Sequence, residues 1–421
     1  MRKILLALMA FLAIPAMAQP LGEVEPTDPA SWATVPANKP FVLSWASRDV
    51  HYAQSSVPRI IPTTEISLTG WRGETVSALA LLSSRSGSQP LRLEMLSADA
   101  TTRQADSVAT ARFVRYVLCD EKRGCGDNLM NTPTYLVPDI IDVDTAWALA
   151  PMTTRPVWVS IQVPRNAQAG ANKLYLAVRD AQSHQELGRL ALTLNVVDRT
   201  LPRPCDYSFH VDFWQQPYSV SRYDGLKRWS PQHFERLKPY LQLLARGGQK
   251  VVTAILFYEP WGVQSNDKFD AMIKTTRRKN GKWRYDYSVF DRYVALCDSC
   301  GINQQINCYS MIPWDMTFTY YDEALKRDVA LKTGTSDSAY RALWTPFLKS
   351  FAHHLKKKGW FHKTRIAMDE RGLDDMMRAY NLLHEVVPDF RMALAGVPHK
   401  ELFDVITDYS LGYPERFTKE Q

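Results

Sequence analysis

No run among the 421 residues reaches the roughly 20 consecutive apolar positions that a membrane-spanning helix needs, so no such span is expected. Glycine, at 19 residues, is far too sparse for a collagen-like chain. Charged residues are 23% against 45% apolar, a balance too apolar for a disordered chain. Neither sign of charge dominates: 51 Lys and Arg face 44 Asp and Glu, an excess of +7 that includes Arg2 and Lys3. The basic triplets Arg277-Arg278-Lys279 and Lys356-Lys357-Lys358 sit in no pattern that reads nucleic acid, so they are taken as solvated surface and no nucleic-acid partner is expected. Cysteine is limited to six. Cys297 and Cys300 have C-x-x-C spacing, but no second such pair and no His pair accompanies them, which favours structural cysteines over a zinc or redox site. His353-His354 lacks a nearby carboxylate pattern and is read as a surface pair.

What is present begins with an address. Arg2-Lys3, an apolar run over residues 4–14 and Ala16-Met17-Ala18 before Gln19 have the order of a secretory signal peptide, residues 1–18. The mature protein is therefore expected to be exported, periplasmic or extracellular. Disulfides are then permitted, and Cys119 and Cys125, flanking a short polar turn, are the favoured pair. The length suggests two or three domains. Residues 19–201 read as short β-rich runs broken by Gly, Ser, Pro and Asn, the pattern of an antiparallel β-sandwich. Pro202 and Pro204 make a stiff connector, and the second domain is placed at residues 202–421.

There the pattern changes to strand, helix, strand, helix. Strands are expected at 207–213, 251–258, 304–309, 364–368, 392–395 and 408–411. Helices are expected at 231–246, 289–299, 340–355 and 374–387. Ser230 and Gly247 bracket the first helix as cap and terminator, and Tyr340, Leu343, Trp344, Phe347, Leu348 and Phe351 fall at 3.6-residue spacing in the third. Such alternation predicts a parallel sheet covered by helices. No Gly-x-Gly-x-x-Gly follows the first strand, which disfavours a dinucleotide fold and favours a (β/α)8 TIM-type barrel. Six strands are counted where a closed barrel has eight, so the barrel is expected to be incomplete, ending after about six strands. The long connections 259–288, with an Asn280-Gly281 hairpin signal, and 311–339 leave the carboxyl ends of strands, where ligands bind in either parallel architecture.

At the end of the fourth expected strand stand Asp369 and Glu370, followed by Arg371. Two acids at a strand tip suit glycosidic cleavage, in which one acid protonates the leaving oxygen while another group stabilises the cationic sugar carbon. A helix-capping acid cluster is the alternative. Successive strand side chains point to opposite sides, so neighbours do not readily face each other across the ~5–5.5 Å used by ordinary retaining enzymes. They suit a mechanism in which one acid donates a proton and the other steadies a substrate group that itself attacks, such as an N-acetyl group. Trp214, Tyr258, Trp261, Tyr309 and Trp314 follow expected strand ends, where they can stack on sugar rings or cap the core. His210, Asp212 and Asp315 are candidates for binding sugar hydroxyls.

The stretches 210–217, 282–291, 308–314, 347–360 and 366–371, with Gly70-Trp-Arg-Gly-Glu74 and Val137-Pro-Asp-Ile140 in the first half, resemble glycoside hydrolase family 123. Known members of that family are retaining β-N-acetylgalactosaminidases. The resemblance implies a barrel, a glycan substrate, no metal or organic cofactor, and substrate-assisted cleavage. By it Asp369 orients the 2-acetamido group, while Glu370 acts first as acid and then as base toward an oxazoline intermediate. Gly372 departs from the family's usual Pro. A β-N-acetylglucosaminidase and a non-catalytic glycan-binding protein are the alternatives carried alongside.

Overall fold

In the computed structural model, which describes residues 22–23, 29–99, 103, 107–119, 135–262 and 264–411, the first half of the chain is strand after strand. These are β1 (Gly22–Glu23), β2 (Val42–Ala46), β3 (Glu65–Arg72), β4 (Thr75–Ser84), β5 (Leu91–Leu96), β6 (Ala109–Cys119), β7 (Tyr135–Ile141), β8 (Ala146–Trp147), β9 (Thr153–Gln162), β10 (Gly170–Asp180) and β11 (Glu186–Thr200). They form a six-stranded sheet, order β1-β7-β6-β9-β4-β2, and a five-stranded sheet, order β3-β11-β10-β5-β8. Period-two alternation is plain in β11, where Leu190, Leu192, Leu194 and Val196 are buried with half-buried residues between. These residues share one core with Trp45, Leu82, Phe113 and Val157 of the other sheet. The expectation of a purely antiparallel arrangement needs correction. The turn at Gly73 (φ 80°) carries the chain from one sheet to the other, so β3 does not pair with β4 but lies parallel to β11. β1 is likewise parallel to β7.

The chain divides into two compact units, Met1–Pro202 and Arg203–Gln421. The second contains α1 (Pro217–Tyr223), α2 (Pro231–Arg246), α3 (Ser288–Ser299), α4 (Ser338–Lys358) and α5 (Leu373–Val386). Its strands are β12 (Val251–Ile255), β13 (Lys274–Arg277), β14 (Trp283–Asp286), β15 (Gln305–Tyr309), β16 (Thr317–Asp322), β17 (Arg327–Lys332), β18 (Thr364–Met368), β19 (Arg391–Ala395) and β20 (Ile406–Ser410). β12-β15-β18-β19-β20 form a parallel sheet whose spatial order follows the sequence without reversal, and among the described residues it does not close.

Local chemistry explains the helices. The Ser230 hydroxyl accepts a hydrogen bond from the His233 backbone N–H and Pro231 opens α2. Gly359, at φ 73°, ends α4 in the left-handed conformation that glycine adopts without steric cost. Along α4, Tyr340, Leu343, Trp344, Phe347, Leu348 and Phe351 are all buried against the sheet's core. Each large side chain so buried stabilises the fold by roughly 2–3 kcal/mol.

Five parallel strands form where six were expected, because 207–213 does not become a strand. Only Val211 makes a bridge, to Gln249. The ladder is replaced by side-chain amides: Gln249 accepts from the Phe213 N–H (2.8 Å) and donates to its carbonyl (3.1 Å), and Gln215 donates to the same carbonyl. The long connections are also more regular than expected. The Asn280-Gly281 turn closes a β13–β14 hairpin, and β16–β17 forms a second hairpin inside 311–339, giving the four-stranded sheet β14-β13-β16-β17. Residues 1–18, the expected signal peptide, and Cys125 of the expected Cys119 pair lie outside the described residues. Among those described, no helix is long and apolar enough to cross a membrane.

Candidate functional site

Asp369 and Glu370 lie just beyond β18, a strand with neighbours on both sides. Alternation places Arg365, Ala367 and then Asp369 toward the face that also carries Gln305, Asn307 and Tyr309 of the adjoining β15. Ile366 and Cys308 point the other way, into the helix-covered core. The two acids border a cavity of about 490 Å³ at the carboxyl ends of the parallel strands, within the size range of small-molecule sites. Trp214, Trp261 and Phe269 line one side; Ala395 and Gly396, after β19, and Ser410 and Leu411, at the end of β20, complete it.

The two carboxylates differ in setting. Asp369 is 7% exposed, and its Oδ2 accepts the Trp314 indole N–H at 2.7 Å. Arg371 lies over the Trp314 ring, 5.3 Å from its centroid. Glu370 is exposed and backs onto Gly396. A Cβ on Gly396 would lie 2.5 Å from Glu370 Cγ, and Gly396 adopts φ 113°, so both space and backbone require glycine there. Trp314, a candidate for stacking on a sugar ring or capping the core, holds Asp369 by its indole hydrogen bond and does not line the cavity.

Aromatic rings form the opposite wall. Trp214 stacks on Trp261 at 5.4 Å between centroids, and Tyr309 contacts both, at 5.2 and 4.9 Å. Trp261 is buried, and its indole N–H has no partner among the described residues. The wall is pinned from behind. Gln215 exchanges hydrogen bonds with Thr253 of β12, accepting from its N–H at 2.7 Å and donating its own N–H to its hydroxyl at 3.2 Å. Gln216 donates to Ser265 Oγ and the Asp267 carbonyl, fixing the loop after β12. Tyr258 is half-buried on that loop and does not line the cavity, and Asp315 caps the following turn through the Thr317 N–H.

His210 and Asp212 are placed elsewhere. They line a second cavity of about 340 Å³ with Asn307, Tyr309 and Asp408, on a segment bridged to the amino end of β12. Tyr309 stands between the two spaces, lining one and touching the tryptophans of the other. The Asn307 amide donates to both Asp212 (3.2 Å) and Asp408 (3.3 Å), and His210 Nε2 is 3.9 Å from Asp408. Burial, then the Asp408 charge, push the Asp212 carboxyl up to about 6, against the opposing Asn307 hydrogen bond.

Because that value lies above the ordinary 3.8, the folded state holds the proton more tightly than the unfolded one. The resulting stabilisation is complete below about pH 4 and lost as pH rises through about 6. Asp212→Asn is therefore expected to raise stability at pH 8 by about 1–3 kcal/mol and to change it little at pH 4. Urea denaturation at both values checks this, and equal shifts at the two would contradict it.

The cysteine expectation has a structural counterpart. Cys297 is buried in α3, where burial drives its thiol pKa far up, and neither it nor Cys300 is in a disulfide. No group of three His, Cys, Asp or Glu able to hold a metal occurs among the described residues.

Comparisons with known proteins bear on the family and the fold. The family model for the glycoside hydrolase 123 catalytic domain matches residues 214–421, and that for the glycoside hydrolase 123 N-terminal domain matches residues 45–180. Among solved structures, a family 123 glycoside hydrolase from Clostridium perfringens, studied for glycolipid glycan hydrolysis, superposes with a TM-score of 0.79 at 24% identity. The match covers 89% of this chain and 67% of that one, and it shows the shared fold. The E. coli chaperone DraB reaches a TM-score of only 0.21 at 9% identity, over 42% of this chain and 64% of its own, too little to support any inference. A search of the curated proteins finds no match. The two family models together cover most of the strand-rich half and the sheet that carries Asp369 and Glu370, and on that ground the chain belongs to glycoside hydrolase family 123.

Proposed function

We propose that the protein is an exported, retaining glycoside hydrolase that removes terminal β-linked N-acetylgalactosamine through an oxazoline intermediate. The observation that carries this is the pairing of unlike neighbours at one strand tip: buried Asp369, fixed by Trp314, and exposed Glu370 beside it on the same cavity. With the sugar ring against Trp214, Asp369 accepts the acetamido N–H and turns the carbonyl oxygen toward the anomeric carbon. That oxygen forms the new C–O bond as the glycosidic bond breaks, giving an oxazolinium ion whose N–H stays hydrogen-bonded to the Asp369 carboxylate, and Glu370 gives its proton to the departing oxygen. Glu370, now a carboxylate, takes a proton from water, which opens the oxazoline and restores the β configuration. No metal or organic cofactor enters these steps. The family resemblance favours galactosamine over glucosamine, and glycolipid-type glycans become one candidate substrate class. The unreversed strand order supports a (β/α)8 type of winding, with residues 19–201 as the sandwich domain and 202–421 as the catalytic one.

Nitrophenyl β-glycosides of N-acetylgalactosamine, N-acetylglucosamine and galactose test the assignment. The expected order of kcat/KM places the first at least about tenfold above the second, a range one well-placed polar contact can supply. Galactose, lacking the acetamido group, should not be cleaved measurably. Comparable cleavage of the galactoside would contradict the mechanism, and a preference for glucosamine would reassign the sugar.

Gly396 supplies a further check. Gly396→Ala forces Glu370 from its place and is expected to lower kcat about 10- to 100-fold with KM changed less than about threefold. A variant with unaltered kcat would show that the close approach has no bearing on catalysis.

A further inference from the structure

Outside the cavity, charge is distributed unevenly. The sheet β14-β13-β16-β17 and its turns, residues 274–286 and 317–332, carry nine Lys and Arg against four Asp and Glu. That is five of the chain's formal excess of seven positive charges. Parallel pairing of β13 with β16, through Thr276 with Tyr321 and Arg277 with Asp322, brings turns 278–282 and 323–326 to the same end of the sheet. A hydrogen bond from the Glu323 N–H to the Arg277 carbonyl at 2.9 Å ties them together.

Most of the local acids already have partners. Asp322 is buried, caps the Ala324 and Leu325 N–H groups and lies 3.9 Å from Arg277. Glu323 lies 3.6 Å from Arg284, and Asp286 accepts the Ser288 N–H. Arg278, Lys279, Lys282, Lys326 and Arg327 remain exposed, with no ion pair among the described residues; Asp328 is the acid left over. Like charges crowded onto two joined turns repel one another, and a polyanion relieves that repulsion while releasing its own counterions.

We propose that these paired turns bind the sulfate or carboxylate groups of an acidic glycan. It rests on the glycosidase function proposed above. β16 starts three residues after Trp314, the partner of Asp369, and its six residues run roughly 20 Å to the turn. A chain of sugars ending in the cavity can reach that far, whereas a monosaccharide cannot. Leu325 is the large apolar side chain exposed at the tips, too little for a membrane-inserting surface. Tyr285 packs on Phe347 and Trp283 on Tyr320, so neither is free to stack on nucleic-acid bases.

The test uses the full chain carrying Glu370→Gln, so that binding is read without turnover. Fluorescent chondroitin sulfate oligosaccharide and its desulfated, carboxyl-reduced counterpart are titrated across a salt series. The charged chain is expected to bind at least tenfold tighter than the neutral one. Adding Lys279→Glu, Lys282→Glu and Lys326→Glu should remove that advantage, and the three Lys→Gln replacements should remove part of it. In the otherwise unaltered enzyme, the Lys→Glu set should leave nitrophenyl N-acetylgalactosaminide cleavage within about twofold of its starting value. Equal binding of the two chains, or binding indifferent to the lysines, would overturn the proposal. Tight lysine-dependent binding to phosphatidylserine vesicles with none to the oligosaccharide would overturn it in favour of a membrane surface. Intact oligosaccharide binding by a protein that cleaves no N-acetylhexosaminide would overturn the catalytic assignment and leave this one standing.

Discussion

Glu370→Gln is expected to lower kcat on a nitrophenyl N-acetylgalactosaminide by about 10²–10⁴-fold, the range general acid–base catalysis supplies, with KM changed little. The amide has nearly the same shape as the carboxylic acid and keeps its place beside Gly396, so binding survives while proton delivery is lost. The deficit should depend on the leaving group. A dinitrophenolate departs without protonation, so formation of the oxazoline from that substrate recovers most of its speed, while its hydrolysis still lacks a base. Added azide, which needs no base to attack, should then raise turnover and yield the β-azide. A loss of the same size for both leaving groups, with no response to azide, would remove Glu370 from the proton-transfer role.

Asp369→Asn is expected to lower kcat/KM by about 10²–10³-fold, equally for good and poor leaving groups, because orientation of the attacking acetamido oxygen precedes any proton transfer. The replacement retains an acceptor for the Trp314 indole but presents an amide N–H where the substrate also offers one. Trp314→Phe removes the 2.7 Å hydrogen bond and leaves Asp369 free to turn. It should cost about tenfold on its own and almost nothing when Asn already occupies position 369, the signature of two residues acting as one unit. Additive losses would separate Trp314 from Asp369 and return the tryptophan to a direct role with the sugar.

Much of this arrangement was legible where information is local. The Ser230 cap, the Gly247 stop and the apolar face of α4 lie in a few consecutive turns, and β18 delivering Asp369 and Glu370 is a short apolar run ending in acids. What escaped depends on contacts distant in sequence. The segment around His210 and Asp212 has the apolar–polar look of a strand, yet Gln215 and Gln249 satisfy its backbone and hold it at the amino end of β12. The β16–β17 hairpin turns on Asp322 side-chain caps, with no Asn-Gly to announce it. The position of Trp314 after a strand leaves stacking on sugar and capping of the core equally open, and its bond to Asp369 crosses 55 positions. Gly396 is marked in the sequence only as a glycine directly after a strand, and its role appears when Glu370 is set against it.

Cleavage rates for a series of aryl β-galactosaminides, with N-acetyl replaced stepwise by N-fluoroacetyl, N-difluoroacetyl and N-trifluoroacetyl, probe the central claim most directly. Each fluorine withdraws electron density from the carbonyl oxygen while changing size little. If that oxygen attacks the anomeric carbon, log kcat falls steeply and linearly across the series, by several orders of magnitude in total. A flat series would mean that an enzyme group or water attacks instead, and the division of labour assigned to Asp369 and Glu370 would be wrong.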